Sequence, residues 1–598
     1  MTVTDPRSVV QTYTYDVRNR AHTYQDPAGK IATYNYDGLG NITSVVDRKS
    51  QTTAMTYDGI NRPTLITYQD GSTITITWDG GNRATQFVDS VNGKITRTYD
   101  GLNRLTQETS PQGTVSYQYD AAGRRQTMTA TGQAVVNYTF DNSNRLTQVA
   151  QGTTALGFGY DSAGRRTSVT LPNGIVGTFG FDNANELTGV TYTNGATQVG
   201  TLTYGYDSGG RRTSLGGTLA GFVPPAYVPS FTYDGTNRLT SSGGGALSYD
   251  ANGNLTGFGS TTYTWNTRNQ LTATSGGSST FAYDALGRRA SATVGGTTTT
   301  YLYDGINPLI IGGTLMMASG NLDEIFAQVG SSGTVSYLHD GTNSTVALTS
   351  GSGNVTANDY YSPYGDTATT GSGTTAFQYT GRENDAATGL YYNRARYYSP
   401  QLGRFISEDP LQIAAGTNFY AYANGNPTSL TDPLGLFPPS IPGGVANSVT
   451  GFGDTVYRLI TLGIGDLGVV RNFMGIDGGI DVCSSAYRAG KYAGWAWGVG
   501  FVWVGGLAGA PNPVFWAGRA ARADALATGN TINDTLIGGV LAGAGVENQL
   551  VWRLASVTYA ANATGYATVY VGATEASSIW AWEQAVLYAR GIAIHGVF

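Results

Sequence analysis

A repeat of about 21 residues runs through the first half of the chain and limits the folds that the sequence can adopt. Its anchor is an aromatic residue followed by Asp. The first ten anchors are Tyr15, Tyr36, Tyr57, Trp78, Tyr99, Tyr119, Phe140, Tyr160, Phe181 and Tyr206. Self-similarity at a fixed period is typical of architectures in which each repeat is one supersecondary unit that stacks on its neighbours.

Each repeat is predicted to form a β-hairpin. Segments such as TITITW and VNYTF alternate apolar and polar residues, which is the pattern of a strand with one buried face. The pieces after each anchor supply turns, as at Asn61-Arg62 and Gly123-Arg124, because Asn and Gly tolerate positive φ. One hairpin cannot bury its own face, so neighbouring hairpins are predicted to pair edge to edge in one long sheet.

The repeat becomes less regular after residue 210 and ends near residue 310. The later anchors are Tyr233, Tyr249, Trp265, Tyr283 and Tyr303. This pattern predicts a fold more strongly than a function, since a β scaffold or an adhesin on a cell surface fits it as well. The chain begins almost at once in the register of the repeat, which indicates a fragment or a short form of a longer protein.

Composition excludes several classes of function. The net charge of -6 gives no support for nucleic-acid binding, which favours basic stripes. Cys483 is the only cysteine, so no disulfide can form within the chain and a reducing compartment is tolerated. The three histidines, at positions 22, 339 and 595, form no metal-ligand pattern. Residues 1–15 are polar and do not resemble a signal peptide.

Two Asp-Pro pairs, Asp409-Pro410 and Asp432-Pro433, lie in the stretch GRFISEDP…NPTSLTDPLGL, after which the repeats stop. One interpretation is that each pair marks a turn. The other is that the two carboxyls share a site and a proton, the arrangement that activates water in aspartic proteases. Spacing alone leaves both open.

A long stretch over about residues 355–436 resembles the core domain that ends the shell of RHS-repeat proteins. The segment YTGRENDAATGLYYNRARYYSPQLGRFISEDP followed by NPTSLTDPLGL carries the resemblance, and the aromatic-Asp repeat is similar to the YD repeat of such shells. The resemblance implies a mainly β fold, a spiral of YD-repeat hairpins that forms a hollow cage. Residues 1–310 would be the YD-repeat shell and residues 311–436 the core.

The resemblance also implies chemistry. It implies that the core cuts its own chain between Leu436 and Phe437, with Asp409 and Asp432 as the protease pair and Arg404 as a supporting cation. The segment after the cut is variable cargo in this family, usually a toxin used in competition between bacteria. A cognate immunity protein and a secretion apparatus or adaptor are implied partners. The protein would be secreted or delivered at the cell surface, and its cargo would act in the cytoplasm of the target cell.

Residues 437–510 are predicted to be a region that precedes the toxin. Within them, residues 492–510 carry no charged side chain and are long enough to cross a bilayer. Their small residues follow the pattern of helix contact in membranes, which would allow transient membrane contact and a pore-forming cargo. The alternative is a buried Gly/Ala-rich helix that packs against protein.

Residues 511–598 hold Glu583 in an apolar context together with several tryptophans. Ionised carboxylates avoid such places unless a function holds them there. Aromatic faces can stack on a flat heteroaromatic ring, and a nearby carboxylate can stabilise an oxocarbenium ion as a glycosidic bond breaks. The alternative is that Trp516 and Trp552 are core residues and that Glu583 lies on a solvated face.

Four ordered pieces in these residues are similar to the ADP-ribosyl cyclase family, whose members cleave NAD: FWAG, TINDTLIGG, VWRLASVTYAANATGYATVYV and SSIWAWEQAVL. The resemblance implies an α/β domain with NAD as substrate and neither cofactor nor metal. Glu583 would be catalytic. The residues implied to bind NAD are Trp516, Asn533, Asp534, Trp552, Ser556, Ser578 and Ile579.

The sequence departs from that family at one functional position. Asn533 stands where the family has an acid that biases hydrolysis against cyclisation, although Asp534 remains. Because of this departure the sequence does not determine whether the product is hydrolysed or cyclised, but the bond expected to be broken is the same. The disulfides of the family are absent, as expected of a toxin that acts in a reducing cytosol.

Overall fold

The computed structural model describes residues 2–4, 7–224, 230–275, 279–412 and 416–436, and the backbone of three further strands within residues 514–597. The described residues fall into two compact units, one with strands β1–β41 and one with strands β42–β44. The first unit is almost entirely β-structure, so the predicted mainly β fold is confirmed. No helix among the described residues is long and apolar enough to cross a membrane, and residues 492–510 lie outside them.

The first sheet has 21 strands, each antiparallel to the strand before it in the chain. Its strands are β1 Thr2–Thr4, β2 Val10–Tyr15, β3 Ala21–Gln25, β4 Ile31–Tyr36, β5 Ile42–Val46, β6 Thr52–Tyr57, β7 Pro63–Thr67, β8 Thr73–Trp78, β9 Ala84–Asp89, β10 Gly93–Tyr99, β11 Leu105–Ser110, β12 Gly113–Tyr119, β13 Arg125–Ala130, β14 Val136–Phe140, β15 Leu146–Gln151, β16 Thr154–Tyr160, β17 Arg166–Thr170, β18 Ile175–Phe181, β19 Leu187–Asn194, β20 Thr197–Tyr206 and β21 Arg212–Gly216.

The second sheet continues the same meander with 16 strands. Its strands are β22 Phe231–Tyr233, β23 Leu239–Ser242, β24 Gly245–Tyr249, β25 Leu255–Phe258, β26 Thr261–Trp265, β27 Leu271–Thr274, β28 Ser279–Tyr283, β29 Arg289–Val294, β30 Thr297–Asp304, β31 Asn307–Ile311, β32 Thr314–Ala318, β33 Ile325–Gly330, β34 Gly333–His339, β35 Thr345–Thr349, β36 Val355–Tyr361 and β37 Thr367–Gly371. This sheet passes through residue 310 without a break.

Two smaller sheets follow. The third sheet is antiparallel, with strands β38 Glu383–Asp385, β39 Leu390–Asn393, β40 Arg396–Ser399 and β41 Arg404–Phe405. Short 3-10 turns at Tyr379–Gly381 and Ala423–Gly425 flank it. The second unit contributes a parallel sheet with strands β42 Val514–Ala517, β43 Tyr566–Val571 and β44 Ala593–Val597.

Each of the first ten aromatic anchors ends its strand at a β-bulge, where the pairing register shifts by one residue. At Tyr57 the side-chain hydroxyl donates to the carbonyl of Ile42, 2.8 Å away in the preceding repeat. Asp58 then closes the turn, because its Oδ1 accepts the backbone N–H of Arg62 at 3.0 Å. Asn61 takes a φ of 66°, which confirms the prediction that Asn serves the positive-φ position of these turns.

In most of these turns an arginine joins one repeat to the next. Arg62 Nη1 donates to the carbonyl of Asp79 at 3.1 Å and to Asn82 Oδ1 at 3.0 Å, both in the following turn. Its guanidinium also lies 5.4 Å from the ring of Trp78. Arg recurs at this position in most repeats, with Asn41 and Glu186 as exceptions, so the turns form a row along one side of the sheet.

Alternation along the strands places one face in the core. In β8, Ile74 and Ile76 are buried, whereas Thr75 and Thr77 are exposed. Ile74 and Ile76 belong to a cluster that also contains Leu286 from a turn of the second sheet. The apolar face of one sheet is therefore covered partly by the turns of the other.

The second sheet lies along the first as the next turn of a spiral. Contacts between the two sheets keep the same order along both. They join Arg48 to Asn252, Asp70 to Thr267, Asp89 to Arg268, Glu108 to Arg288, Arg125 to Asp304, Arg166 to Glu324 and Asn194 to Ser352. A single ribbon of hairpins thus coils beside itself, which is the wall of a β-cage and confirms the predicted spiral.

The third sheet is a buried platform at the end of this wall. All residues of β39, β40 and β41 are buried. Arg289 of the second sheet pairs with Glu383 and Asp385 of β38, and Asp323 pairs with Arg394, 2.5 Å away. Separating the two partners of a buried ion pair would leave uncompensated charges and strongly destabilise the folded protein. These contacts therefore fix the platform against the wall.

Candidate active site

The hairpin β39–β40 carries the site. Asn393 and Arg396 are paired in register across its tip, which leaves Arg394 and Ala395 as the two turn residues. Arg394 has a φ of 56°, as a tight hairpin turn requires of one of its central residues. The side chains of Asn393 and Arg396 therefore project from fixed positions at the end of a buried sheet.

The two aspartates singled out in the sequence meet at Arg396. Arg396 Nη2 lies 2.8 Å from Asp409 Oδ2 and 3.2 Å from Asp432 Oδ2. The three side chains are 2%, 2% and 5% exposed, respectively. The structure thus brings Asp409 and Asp432 together around one nitrogen atom, in a place that excludes bulk water.

Arg396 is held from several sides. Its Nε donates to the carbonyl of Gly435 at 2.6 Å, and its Nη1 donates to the carbonyl of Phe419 at 2.9 Å. The guanidinium carbon lies 3.5 Å from the centre of the Phe405 ring. A planar, permanently charged group with several fixed donors suits this role better than a flexible ammonium would.

Arg404, expected from the sequence as the supporting cation, lies elsewhere. Its Nη1 donates to the carbonyl of Asn237 at 2.8 Å, and its guanidinium faces the rings of Tyr233 and Tyr420. The cation between the carboxyls is Arg396. Both arginines belong to the motif YYNRARYYSPQLGRF, but only the register of β40 distinguishes them, and no short-range pattern reveals that register.

Burial raises the pKa of Asp432 to about 7. The positive charge of Arg396 opposes this rise, whereas the negative charge of Asp409 adds to it. The backbone N–H groups of Leu436 and Gly435 also favour the ionised form. The balance leaves Asp432 able to hold a proton near neutral pH beside a second carboxyl, which is the condition for acid–base work by a carboxyl pair.

The hairpin tip also clamps the chain just after Asp432. Four consecutive residues of the tip each donate to one of four consecutive carbonyls. The pairs are Asn393 Nδ2 to Asp432 at 2.7 Å, Arg394 Nη1 to Pro433 at 2.5 Å, the Ala395 backbone N–H to Leu434 at 3.1 Å and Arg396 Nε to Gly435 at 2.6 Å. Asn393 and Arg394 were not predicted from the sequence, because their role depends on a segment 39 positions further along the chain.

Gly435 is required for this close approach. Its φ is +63°, and a Cβ atom there would lie 2.3 Å from the carbonyl oxygen of Asn393 and 3.0 Å from the backbone nitrogen of Arg396. A contact below 3.0 Å with backbone leaves no room for a side chain. The glycine of the DPLGL motif therefore allows the segment to lie directly on the hairpin tip.

The segment ends beside the carboxyl pair. The backbone N–H of Leu436 donates to Asp432 Oδ1 at 3.0 Å, so that carboxyl lies one residue from the bond expected to be cut. Phe437 lies outside the described residues, as do the side chains of Trp516, Asn533, Asp534, Trp552, Ser556, Ser578, Ile579 and Glu583. The backbone of Trp516 lies in β42, in register with Tyr570 of β43.

Comparison with protein families gives a match over most of this β unit. The model of the Teneurin YD-shell family matches residues 64–211 and 177–428. The chain belongs to this family. The RHS repeat model also matches residues 36–73, so the membership predicted from the aromatic-Asp repeat is confirmed. The first unit, with strands β1–β41, is called the YD shell below.

Curated relatives of the YD shell include named toxins. The tRNA nuclease WapA of Bacillus subtilis is 34% identical over 222 residues, which cover 33% of this chain and 9% of WapA. The toxin protein Tse5 of Pseudomonas aeruginosa is 46% identical over 69 residues, 12% of this chain and 5% of Tse5. The toxin subunit YenC2 of Yersinia entomophaga is 44% identical over 94 residues, 15% of this chain and 10% of YenC2. The chain thus spans a tenth or less of the length of these relatives.

Solved structures share the fold of the YD shell. The crystal structure of TcdB2-TccC3-TEV has a TM-score of 0.55 at 16% identity, covering 71% of this chain and 30% of that one. The Tc holotoxin pore of Photorhabdus luminescens with the TccC3 mutation D651A has a TM-score of 0.50 at 17% identity, covering 73% of this chain and 30% of that one. At these identities the likeness concerns the fold.

Proposed function

We propose that this YD shell cuts its own chain between Leu436 and Phe437 and so releases a C-terminal toxin. The observation that carries the proposal is the buried Asp409–Arg396–Asp432 group, whose Asp432 accepts the N–H of Leu436. A carboxyl pair with one member near pKa 7 is suited to peptide hydrolysis.

The clamp supports cleavage in cis. The carbonyls of residues 432–435 are held by the hairpin tip, so the next peptide bond stays next to the carboxyl pair without a binding step. Fixing reacting groups in this way replaces an encounter between molecules and can lower the barrier by several kcal/mol, on the order of 7 or more in favourable cases.

In the proposed reaction, water adds across the bond between Leu436 and Phe437. Asp409 accepts a proton from the attacking water, and the hydroxyl joins the carbonyl carbon of Leu436. Asp432 supplies its proton to the nitrogen of Phe437, which leaves as a free amine. Arg396 holds both carboxyls and keeps the carbonyl of Gly435 in place throughout.

Substitution of each aspartate tests the role of the pair. Asp409→Asn and Asp432→Asn should each leave the full-length chain whole on a denaturing gel, because the amide can neither take nor give the required proton. Asp16→Asn, in a turn of the first sheet, is the matched control and should be cut like the wild type. Undiminished cutting of both site variants would exclude the pair as the catalytic groups.

For the released segment, we propose a toxin that breaks the nicotinamide–ribose bond of NAD. The support is the ordered set of motifs in residues 511–598 and the toxin names of Tse5 and YenC2. Nicotinamide would stack on Trp516 and Trp552, and ionised Glu583 would stabilise the oxocarbenium ion as nicotinamide leaves. An immunity protein and a delivery apparatus would be the partners of the whole protein, and the cytoplasm of a target cell its place of action.

An NAD assay on the protein after self-cleavage, with both fragments present, tests this activity. The wild type should deplete NAD and release nicotinamide, and Glu583→Gln should lower the rate about 100-fold, because one preorganised charge is typically worth roughly 3 kcal/mol. Trp580→Phe, a nearby change outside the proposed site, serves as the control. Leakage of liposomes without any loss of NAD would instead favour the pore-forming alternative for residues 492–510.

A further inference from the structure

A second buried charge cluster lies next to the carboxyl pair along the chain. Glu408 directly precedes Asp409, and its carboxylate receives both terminal nitrogens of Arg48, at 2.6 and 3.2 Å. The same guanidinium lies 3.0 Å from Asp26 Oδ2 and donates to the carbonyl of Asn252 at 2.6 Å. The side chains of Arg48 and Glu408 are only 8% and 10% exposed.

Other charged and polar groups around Glu408 complete its environment. Arg238 Nη2 lies 3.7 Å from Glu408 Oε1 and 3.5 Å from Asp26. The hydroxyl of Tyr420 lies within hydrogen-bond distance of Glu408 Oε1 and of the Gly253 carbonyl, at 3.3 and 2.8 Å. The ring of Tyr24 faces Arg48. Glu408 is thus balanced chiefly by Arg48, with a weaker contribution from Arg238.

Three parts of the fold meet at this cluster. Arg48 belongs to the turn between β5 and β6 of the first sheet, and Asn252 belongs to a turn of the second sheet between β24 and β25. Glu408 belongs to the segment after β41 that leads into the carboxyl pair. The fit is close, since a Cβ atom on Gly253 would lie 2.3 Å from Glu408 Oε1.

We propose that the ion pair between Arg48 and Glu408 positions Asp409, so that self-cleavage requires the first turn of the spiral to be docked on the core. This inference rests on the self-cleavage proposed above. Glu408 and Asp409 are adjacent, so their backbone can satisfy both carboxyls only when Arg48 and Arg396 are both in place. Arg48 is thus a positioning residue, since its contacts among the described residues are with Asp26, Asn252, Glu408 and the Tyr24 ring rather than with residues 432–436.

The physical reason is the cost of an unpaired buried carboxylate. Without Arg48, Glu408 would have to take up a proton or turn towards water, and either response shifts the adjacent backbone. Two hydrogen bonds fix the position of that backbone: the Asp409 N–H donates to the Phe419 carbonyl at 2.9 Å, and Asp409 Oδ1 accepts the N–H of Leu411 at 2.8 Å. A displacement of about 1 Å can slow a positioned reaction by as much as 100-fold.

The consequence is an order of events. Arg48 lies 360 positions before Glu408 in the chain, so the pair forms only after the wall has coiled back onto the core segment. A chain whose first turn is missing or misplaced would keep its C-terminal segment attached. Cleavage would then occur only in a chain with a completed wall, and this requirement would prevent early release of the toxin.

The test compares cleavage rates of full-length chains made by cell-free synthesis, with the amount of folded protein measured in parallel. Arg48→Met should cut about tenfold or more slowly than the wild type. The matched control is Arg268→Met, which removes the buried pair with Asp89 between the same two sheets. The contacts of Arg268 are with Asp89, Ser72 and the ring of Tyr68, away from residues 404–436, so this variant should cut at close to the wild-type rate.

Two more variants separate positioning from a general loss of stability. Arg48→Lys keeps the charge but not the paired geometry, so its rate should lie between those of Arg48→Met and the wild type. The double variant Arg48→Met/Glu408→Gln removes the unpaired charge and should recover part of the lost rate. The rates are compared per folded chain, so a role of Arg48 in stability alone predicts that folded Arg48→Met chains cut at the wild-type rate and that the double variant has no lost rate to recover.

Each outcome decides one claim. A folded Arg48→Met chain that cuts at the wild-type rate would overturn the positioning role, while the loss of cutting in Asp432→Asn would still support self-cleavage. Equal slowing of Arg48→Met and Arg268→Met would also overturn it, since cleavage would then follow the stability of the wall alone. A wild-type chain that is never cut would overturn the proposed self-cleavage itself.

Discussion

Asp–Arg pairs occur in two very different settings in this molecule. In the turns of the first sheet, Asp16 and Arg20 lie 2.6 Å apart with side chains that are 20% and 25% exposed. In the core, Asp409, Arg396 and Asp432 meet with exposures of 2–5%. The residue types are the same, but the turn has one carboxyl for one cation and the core has two.

The difference shows in the pKa values. The side-chain hydrogen bond from Arg20 lowers the pKa of Asp16 to about 2, whereas burial raises the pKa of Asp432 to about 7 although Arg396 is close. The turn pair closes a hairpin and remains charged at any physiological pH. The core group holds a carboxyl that can exchange a proton, so burial and carboxyl count, rather than residue type, separate a structural pair from a chemical one.

The largest expected effect comes from removing the shared cation. Arg396→Met should lower the rate of self-cleavage by about 100-fold or more, because it frees both carboxyls and the Gly435 carbonyl at once. Arg20→Met removes the equivalent cation from a turn and should leave the rate unchanged. The comparison fails if the two variants are cut equally fast in a pulse-chase experiment.

A smaller loss is expected when the clamp is pushed away from the segment. Gly435→Ala places a Cβ atom against the Asn393 carbonyl and should slow cleavage by roughly tenfold. Gly389→Ala is the matched control, since Gly389 has a φ of +67° but nothing within 4 Å of a Cβ atom. It carries the same backbone strain without the clash, so a similar loss in both would show that strain alone is responsible.

The cleavage rate should fall as the pH rises above about 7. The sign is set by the proposed role of Asp432 as proton donor, because its raised pKa keeps it protonated below about 7 and ionised above. Between pH 7 and pH 8 the protonated fraction drops roughly fivefold, and the rate should fall in proportion. A pH jump after cell-free synthesis measures this, and a rate that still rises at pH 9 contradicts the assignment.

The same shifts give opposite effects on stability. Asp432 has a raised pKa in the folded chain, so it stabilises the fold most at low pH and loses that contribution as the pH rises from about 4 to about 7. Asp16 has a lowered pKa, so its contribution is present above about 4 and is lost as the pH falls towards 2. Thermal unfolding of the uncut Asp409→Asn chain, with and without Asp16→Asn, should show a difference in Tm above about pH 4 that disappears as the pH falls towards 2.

The smallest expected effect is on a single turn. Arg20→Met should lower Tm by about 2 °C or less, because exposed ion pairs contribute little and neighbouring repeats hold the turn. Arg289→Met removes the buried partner of Glu383 and Asp385 and should lower Tm considerably more. Similar shifts in calorimetry for both variants would remove the distinction between exposed and buried pairs.

The repetitive part of the molecule could be predicted from its sequence because its interactions are local. The period fixes Tyr57 at a bulge, Asn61 at positive φ and Arg62 on the following turn, all within about 21 residues. The period does not determine which residue of the second sheet lies beside a given residue of the first sheet. That offset, visible where Arg166 meets Glu324, depends on the curvature of the whole wall.

The candidate site could be predicted only in part. Asp409 and Asp432 stand out because each precedes proline in a motif, and the structure brings them together. Arg396 was missed in favour of Arg404 because both lie in one motif and the choice depends on how β40 pairs with β39. Glu408 and Arg48 form a contact over 360 positions, which no local pattern encodes.

The most direct test of the central claim is the mass and the terminal sequence of the fragments from purified wild-type protein. The account predicts two chains, residues 1–436 ending at Leu436 and residues 437–598 beginning at Phe437, and a single whole chain of 62.8 kDa for Asp432→Asn. A wild-type chain that stays whole, a cut at any other bond, or a cut in Asp432→Asn that matches the wild type would contradict it.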